Sequence, residues 1–444
     1  MYLTIHRGTR QIGGSCVELR ANDGTRIILD IGMPLAMPNG TDWPAGTLCR
    51  GVEVLRREGI LPAVNGLYHG DEPGVAGVFL SHAHLDHHGL VQFIHSAIPV
   101  HASPGTIAML EVSGLFVPDV APMGNISTLP LPPEAVQVGP FRVQAIPVDH
   151  AAPDSRALLV EADGERVLYS GDLRAHGRLR FLFDDLPVAA GGVDVLVLEG
   201  TTMGQKSGSR GTPDEFALES RFCDLFRATD QFVLVAASGQ NIDRAVSVYL
   251  AALAADRQFV MDLYQAYVLD RLRELRPDAP QYDSPGVRIK FISTHVARMK
   301  EAGHWGLVCQ MARRAKVRSE ELFANPGRFA YLARSNAATV ALLRYLEAAR
   351  PSVVVWSQWG GYLDKGGAIA DWCRECGREP LRIHSGGHAT PADLAMLASK
   401  IRARAVVPVH TFAAHEFEEL VDRVVRLDDG STVAVKELGR DWST

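Results

Sequence analysis

The sequence predicts an α/β protein in two parts, with the second inserted into the first. Three observations carry this reading. The first 200 residues are dense in short β-type runs. After residue 200 the texture changes, and alternating strand and helix follow. After residue 380 a strand, a helix and a strand close the chain, so the first part is read as resuming there.

Taken in order, strands are expected at 17–19, 26–30, 75–80, 141–148, 157–161, 166–170 and 193–198, several of them apolar throughout. Turn chemistry separates them at Asn22-Asp23-Gly24, Asp163-Gly164 and Gly191-Gly192. Residues 36–74, rich in Pro and Gly, read as a long and partly helical connection. The stretch 201–213, broken by Gly204, Gly208, Gly211 and Pro213, marks the crossing between the two parts.

A helix is expected at 214–228, where Pro213 and Asp214 suit its start. A strand at 231–236, a helix at 241–255, strands at 259–261 and 288–292, a helix at 337–349 and a strand at 352–356 follow. That spacing implies parallel βαβ units. The chain then reads as strand 381–384, helix 391–402, strand 405–409, helix 416–425 and strand 432–436. The expected domains are 1–200, 201–380 and 381–444, the first and last forming one body.

Composition narrows the class. Of 444 residues, 47% are hydrophobic and 22% charged, which describes a globular chain and excludes a largely disordered one. The net charge of −6 excludes a globally basic nucleic-acid binder, but not an enzyme with one local basic groove. The six cysteines are too sparse for a secreted disulfide scaffold. Cys373 and Cys376 form a single CxxC with no second pair to complete a zinc site, so structural thiols are expected. The opening residues lack the apolar core of a signal peptide, and no apolar run approaches the ~20 residues of a membrane span. The expectation is a cytoplasmic protein without a membrane partner.

The strongest local signal is Ser81-His82-Ala83-His84-Leu85-Asp86-His87-His88-Gly89, directly after an apolar strand. His82, His84, Asp86, His87 and His88 put five candidate metal ligands in seven residues. Packing alone gives no reason to crowd them, because burying polar groups is costly. Neutral imidazoles beside a carboxylate suit zinc or a similar divalent ion.

The segment resembles the HxHxDH motif of the metallo-β-lactamase superfamily. The later ligand positions of that family follow in order: Pro147-Val148-Asp149-His150, then Tyr169-Ser170-Gly171-Asp172, then Val406-Val407-Pro408-Val409-His410. The resemblance implies an αββα sandwich holding two divalent metals, zinc first and manganese as the alternative. His82, His84 and His150 would hold one ion. Asp86, His87 and His410 would hold the other, with Asp172 between them. Asp30, at the end of a strand, would orient the histidine loop from behind the ligands.

Further segments resemble the β-CASP nucleases within that superfamily, and ribonuclease J in particular. Val195-Leu196-Val197-Leu198-Glu199-Gly200-Thr201-Thr202 is similar to motif A, with Glu199 as its acid. In His384-Ser385-Gly386-Gly387-His388-Ala389, His388 matches motif B, and His410 doubles as motif C. Asp149 to Ser155 and, more loosely, Ala236 to Arg244 are similar to ribonuclease J segments. The likeness runs over residues 1 to 435 and lacks ribonuclease J's extra C-terminal domain. Two positions depart from the family: Gly386 replaces a Ser in motif B, and Gly200 follows the motif A acid where Ser is usual.

The resemblance implies hydrolysis of RNA phosphodiester bonds by hydroxide generated at the two metals, leaving 5′-phosphate ends. Asp86, Glu199 and His388 are the implied catalytic residues. His388 would protonate the leaving oxygen and Glu199 would hold its imidazole. His384 and Ser385 would contact the substrate phosphate. The implied partner is single-stranded RNA, and relatives of this type often self-associate, so a homodimer is implied too. A DNA nuclease, a small-molecule metallohydrolase and a non-catalytic scaffold subunit stand as alternatives. Trp356, Trp359 and Tyr362 fit nucleobase stacking or core packing, with core packing the favoured expectation.

Overall fold

Strand alternation sorts the apolar side chains of the first unit onto distinct faces. In the strand Val195–Glu199, Val195 and Val197 join one core while Leu196 and Leu198 join another. Ala405–Val409 repeats the pattern, with Ala405, Val407 and Val409 on one side and Val406 on the other. Arg26–Leu29 sends Ile27 and Leu29 into the first core and Ile28 into a third. Strands apolar on both faces belong to sheets covered on both sides. The computed structural model, which describes residues 1–117, 120, 126–205, 212–348 and 351–439, has that arrangement.

Two sheets pack face to face around the first core. Among the described residues, one runs Thr432–Ala434, Tyr2–Arg7, Cys16–Arg20, Arg26–Leu29, Gly77–Phe79, Val100–Ala102, Ile126–Thr128. The other runs Ala405–Val409, Val195–Glu199, Glu165–Tyr169, Arg156–Ala162, Phe141–Pro147, Val136–Val138. Phe181–Ala190 and Pro391–Ile401 cover the outer face of the second sheet, where Phe183, Leu186, Leu394 and Leu397 are buried. Val52–Arg57 and Pro104–Phe116 cover the first, burying Leu55 and Leu110. This is the αββα sandwich with its helices outside.

The chain divides into two compact units. One is Met1–Ala175, Leu179–Arg210 and Gly387–Thr444, and the other is His176–Arg178 with Gly211–Gly386. The second boundary falls later than residue 380 for a structural reason: Leu381–Arg382 extends the second unit's sheet by pairing in parallel with Val353–Trp356. His176–Arg178 belongs to the second unit, where Arg178 N donates to Asp243 Oδ2 at 2.8 Å. Residues 206–211 of the expected crossing lie outside the described residues.

The second unit is a parallel sheet in the order Lys316–Val317, Val287–Lys290, Gln258–Asp262, Phe329–Ala333, Val233–Ala236, Val353–Trp356, Leu381–Arg382. Four of its described helices start on side-chain caps. Asp214, Asn241, Asp262 and Asn336 each accept a backbone N–H three residues on, satisfying an otherwise orphaned donor.

Two expectations change. The helix expected at 416–425 is a 3₁₀ turn at Ala414–Glu419. Strand pairing wins beyond it: Val406 N donates to Arg423 O and Val425 N to Val406 O. The opening strand Tyr2–Arg7, not among the expected strands, joins Cys16–Arg20 to Thr432–Ala434. No helix among the described residues is long and apolar enough to cross a membrane.

Candidate metal centre

The centre forms where strands of the first unit end. Asp30 follows Arg26–Leu29 with a left-handed φ of 58°. The Ser81–Gly89 segment follows Gly77–Phe79 and closes in the short helix Leu85–His88. His150, Asp172 and His410 lie just beyond Phe141–Pro147, Glu165–Tyr169 and Ala405–Val409. Gly32 lets the chain press against this loop, since a Cβ there would lie 1.6 Å from the Asp86 carbonyl oxygen.

Two groups of donor atoms result. His82, His84, His150 and Asp172 offer atoms all within 4.8 Å of one another, and so do Asp86, His87 and His410. Asp172 links them: its Oδ2 is 3.2 Å from His87 Nε2 and 3.7 Å from His82 Nε2, while its Oδ1 is 3.6 Å from His410 Nδ1. His410 Nε2 is 3.2 Å from Asp86 Oδ2. A third group, Asp172, Glu199 and His388, adjoins these. His88 is buried nearby but belongs to none of the three.

Outer partners decide which nitrogens face inward. Asp30 Oδ2 accepts from His87 Nδ1 at 2.7 Å, from Ser81 Oγ at 2.6 Å and from the Tyr169 hydroxyl at 2.8 Å. Because Ser81 gives its proton to Asp30, it accepts from His82 Nδ1 at 3.0 Å. His150 Nδ1 donates to Gly387 O at 2.5 Å. A Cβ at Gly387 would lie 3.3 Å from the His150 ring, tight enough to disturb that approach. His82, His87 and His150 are thereby left with Nε2 toward the centre, the tautomer a metal ligand needs.

The buried polar atoms fit an ion. His82 Nε2, His87 Nε2 and Asp172 Oδ1 are buried without a hydrogen-bond partner. Such atoms are costly unless something binds them. Burial pushes His82 and His150 well below the usual histidine range and His84 down to about 4, which keeps them neutral. Burial opposes ionisation of Asp172, but the His410 and His87 charges outweigh it and hold the carboxyl well below its usual value. Burial also opposes the charged form of His87, yet Asp172 and Asp30 raise it well above its usual value. Neutral His82, His84 and His150 and ionised Asp172 are thus in the donor states that divalent metals take, while His87 would have to release its proton to bind one.

His388 and Glu199 sit beside this cluster. His388 Nδ1 is 3.2 Å from Glu199 Oε1 and 3.7 Å from Asp172 Oδ2. Burial lowers His388, but Glu199 and Asp172 reverse this and raise it to about 9. Glu199 is fixed in turn by Thr201 N, at 2.9 Å from Oε2. His388 remains 24% exposed while Glu199 is almost fully buried, so the imidazole is the member of the pair open to an incoming molecule.

A family model described as a β-lactamase superfamily domain matches residues 55–220. Ribonuclease J of Sinorhizobium meliloti is 27% identical over 195 residues, 41% of this chain and 33% of that protein. An RNase J-like protein of Methanocaldococcus jannaschii is 26% identical over 209 residues, 45% of this chain and 42% of the relative. The chain carries a β-lactamase superfamily domain and is ribonuclease-J-like. Ribonuclease J of Mycolicibacterium smegmatis is 24% identical over 362 residues, 76% of this chain and 58% of its own length. The matches thus span between a third and three-fifths of these relatives. A crystal structure of a protein of unknown function from Enterococcus faecalis V583 shares the fold, with a TM-score of 0.77 at 20% identity, covering 97% of this chain and 99% of that one.

The remaining candidates lie in the second unit. His384 is half-buried, and buried Ser385 donates its hydroxyl to Pro213 O at 2.6 Å. Trp356 is buried in that unit's core, whereas Trp359 and Tyr362 are exposed. Cys373 is buried there too, and burial pushes its thiol up to about 11, away from reactivity. Sequence reasoning missed Ser81, Tyr169, Thr201 and Gly387, whose polar atoms orient the histidines and acids. Each of the four stands within three residues of a named site residue, which is the one signal that could have found them.

Proposed function

We propose that the chain is a metal-dependent ribonuclease that hydrolyses phosphodiester bonds of single-stranded RNA and leaves 5′-phosphate ends. The observation that carries this is the pair of donor groups joined through Asp172 and adjoined by the His388–Glu199 pair. His82, His84 and His150 would hold one divalent ion and Asp86, His87 and His410 the other, with Asp172 between them. Zinc fits this donor set, and manganese is the alternative. Two bound ions would supply Lewis acidity, lowering the pKa of an attacking water and offsetting charge on the phosphate oxygens.

The chain's own residues do the rest. His388 holds a proton at the mouth of the cluster and delivers it to the leaving oxygen. Glu199 receives the Nδ1 hydrogen bond, which leaves Nε2 to face the substrate. His384 contacts the phosphate, and Ser385 joins it only by releasing its bond to Pro213. The similarity to proteins named ribonuclease J supports RNA as the polymer.

The test is incubation of metal-loaded protein with matched, 5′-labelled RNA and DNA oligonucleotides. RNA should be cut, cutting should stop with a chelator, and His388→Ala should slow it by about 10²-fold or more. Cleavage of DNA alone, or a fully active His388→Ala, contradicts the proposal.

A further inference from the structure

The second unit carries an exposed aromatic corner for which the proposed chemistry has no use. Trp359 is 55% exposed and Tyr362 is 50% exposed, while Trp356, three residues before Trp359, is buried. The segment leaves the carboxyl end of Val353–Trp356 and turns into the short helix Gly360–Lys365. Open parallel sheets bind ligands at that edge.

The corner is held rigid. Trp356 Nε1 donates to Trp359 O at 3.2 Å, pinning the backbone from the buried side. The Trp359 ring lies against Gly361: a Cβ there would meet ring carbons at 2.2 Å, so the pose depends on glycine. Tyr362 meets Trp359 edge to face, with centroids 5.5 Å apart and planes at 89°. The exposed Trp359 ring thus stands beside an upright wall, and little side-chain freedom remains to be lost on binding.

Charge points the same way. The Arg382 Nη1 atom comes within 3.4 Å of the Cβ position of Gly360, and Arg382 is exposed on the neighbouring strand. Arg221, also exposed, donates to the Arg382 carbonyl oxygen at 3.0 Å. A flat aromatic face beside guanidinium groups fits a planar base carried on an anionic backbone.

We propose that Trp359, walled by Tyr362 and flanked by Arg382, is a stacking platform for a nucleobase of single-stranded RNA. This rests on the ribonuclease reading and adds to it a substrate-gripping surface on the second unit. Stacking on the open Trp359 face is sequence-tolerant, because every base has a π-face. It is also insensitive to salt, unlike a phosphate contact.

The test uses full-length protein with chelator, so that RNA binds without being cut. Anisotropy of a labelled single-stranded RNA gives the affinity, and the same backbone with abasic sites serves as control. Trp359→Ala should weaken RNA binding about tenfold or more, with an unchanged salt slope and no effect on the abasic strand. Trp359→Phe should restore most of the loss, because a ring returns. Equal affinity of Trp359→Ala and the parent overturns the platform, and if the parent still cuts RNA the ribonuclease reading survives. A parent that neither binds nor cuts RNA overturns both. A changed oligomeric state in Trp359→Ala with intact RNA affinity overturns the platform in favour of a second copy of the chain. Circular dichroism of each variant separates misfolding from lost stacking, and Tyr362→Ala, expected to weaken binding less, supplies a second readout.

Discussion

Asp30 Oδ2 lies 2.7 Å from His87 Nδ1, and the same oxygen gathers the Ser81 and Tyr169 hydroxyls. One fully buried carboxylate therefore sets the orientation of His87 directly and of His82 through Ser81.

Replacing that carboxylate should weaken metal binding without touching a ligand. Asp30→Asn is expected to lower affinity about 10- to 100-fold, the usual cost of losing a ligand's outer partner. Competition against a chelating dye measures this. Unchanged affinity would show that the ligands hold their orientation unaided.

Metal should also stabilise the first unit. At 100 times the dissociation constant, binding to the folded state alone contributes about 2.7 kcal/mol. For a body of this size that is a rise of several degrees in Tm on adding zinc to stripped protein. Asp172→Ala, which removes the carboxylate between the two donor groups, should lose most of the rise. An identical rise in that variant would place the binding elsewhere.

Glu199 should matter to turnover more than to binding. Glu199→Gln keeps a hydrogen-bond acceptor for His388 but removes the charge. The expected result is a fall in kcat of about tenfold or more with little change in KM, read from steady-state cleavage. A change confined to KM would make Glu199 a substrate contact.

Glu18 gives a pH signature remote from the centre. Burial raises its carboxyl, but hydrogen bonds from His6 and Arg26 outweigh this and hold it at about 2. A carboxyl depressed on folding stabilises above its unfolded pKa, and the contribution is lost as pH falls toward the folded one. Glu18→Gln should therefore cost about 1–2 kcal/mol at pH 7, discounted for partial exposure. The difference should fade below pH ~4 and vanish near 2, as denaturation midpoints across pH would record.

Arg244 and Glu215 form a fully buried pair in the second unit, with Nη2 at 2.8 Å from Oε1 and Nε at 3.2 Å from Oε2. Arg244→Met leaves a buried charge unmatched and should destabilise by about 3–5 kcal/mol. Adding Glu215→Leu should recover much of that, because an apolar pair removes the orphan. Urea denaturation of the single and double variants tests the coupling, and additive losses would refute it.

The strands around the centre were legible because their residues are apolar on consecutive positions and end in turn formers. Ala405–Val409 appears with its expected bounds, and Val195–Glu199 shifts by a residue or two. The helix start at Glu215 was legible from its cap, Asp214. Short edge strands such as Val136–Val138 and Ile126–Thr128 were not, since three residues carry no period. The helices Ser293–Glu301 and Trp305–Ala315 hide among charged residues, with only a narrow buried stripe on each. In the site, ligand-type residues stand out by crowding and order. The residues that aim them do not: a Ser, a Tyr and a glycine carbonyl have no signature until the fold brings them to His82, Asp30 and His150.

In the proposed reaction two ions and the His388–Glu199 pair act together on RNA. Stripped protein titrated with zinc, with bound metal and RNA cleavage recorded in parallel, tests it most directly. Two equivalents should bind per chain, with cleavage appearing as the second binds. Saturation at two equivalents with RNA left intact, or cleavage that proceeds on metal-free protein, would contradict it.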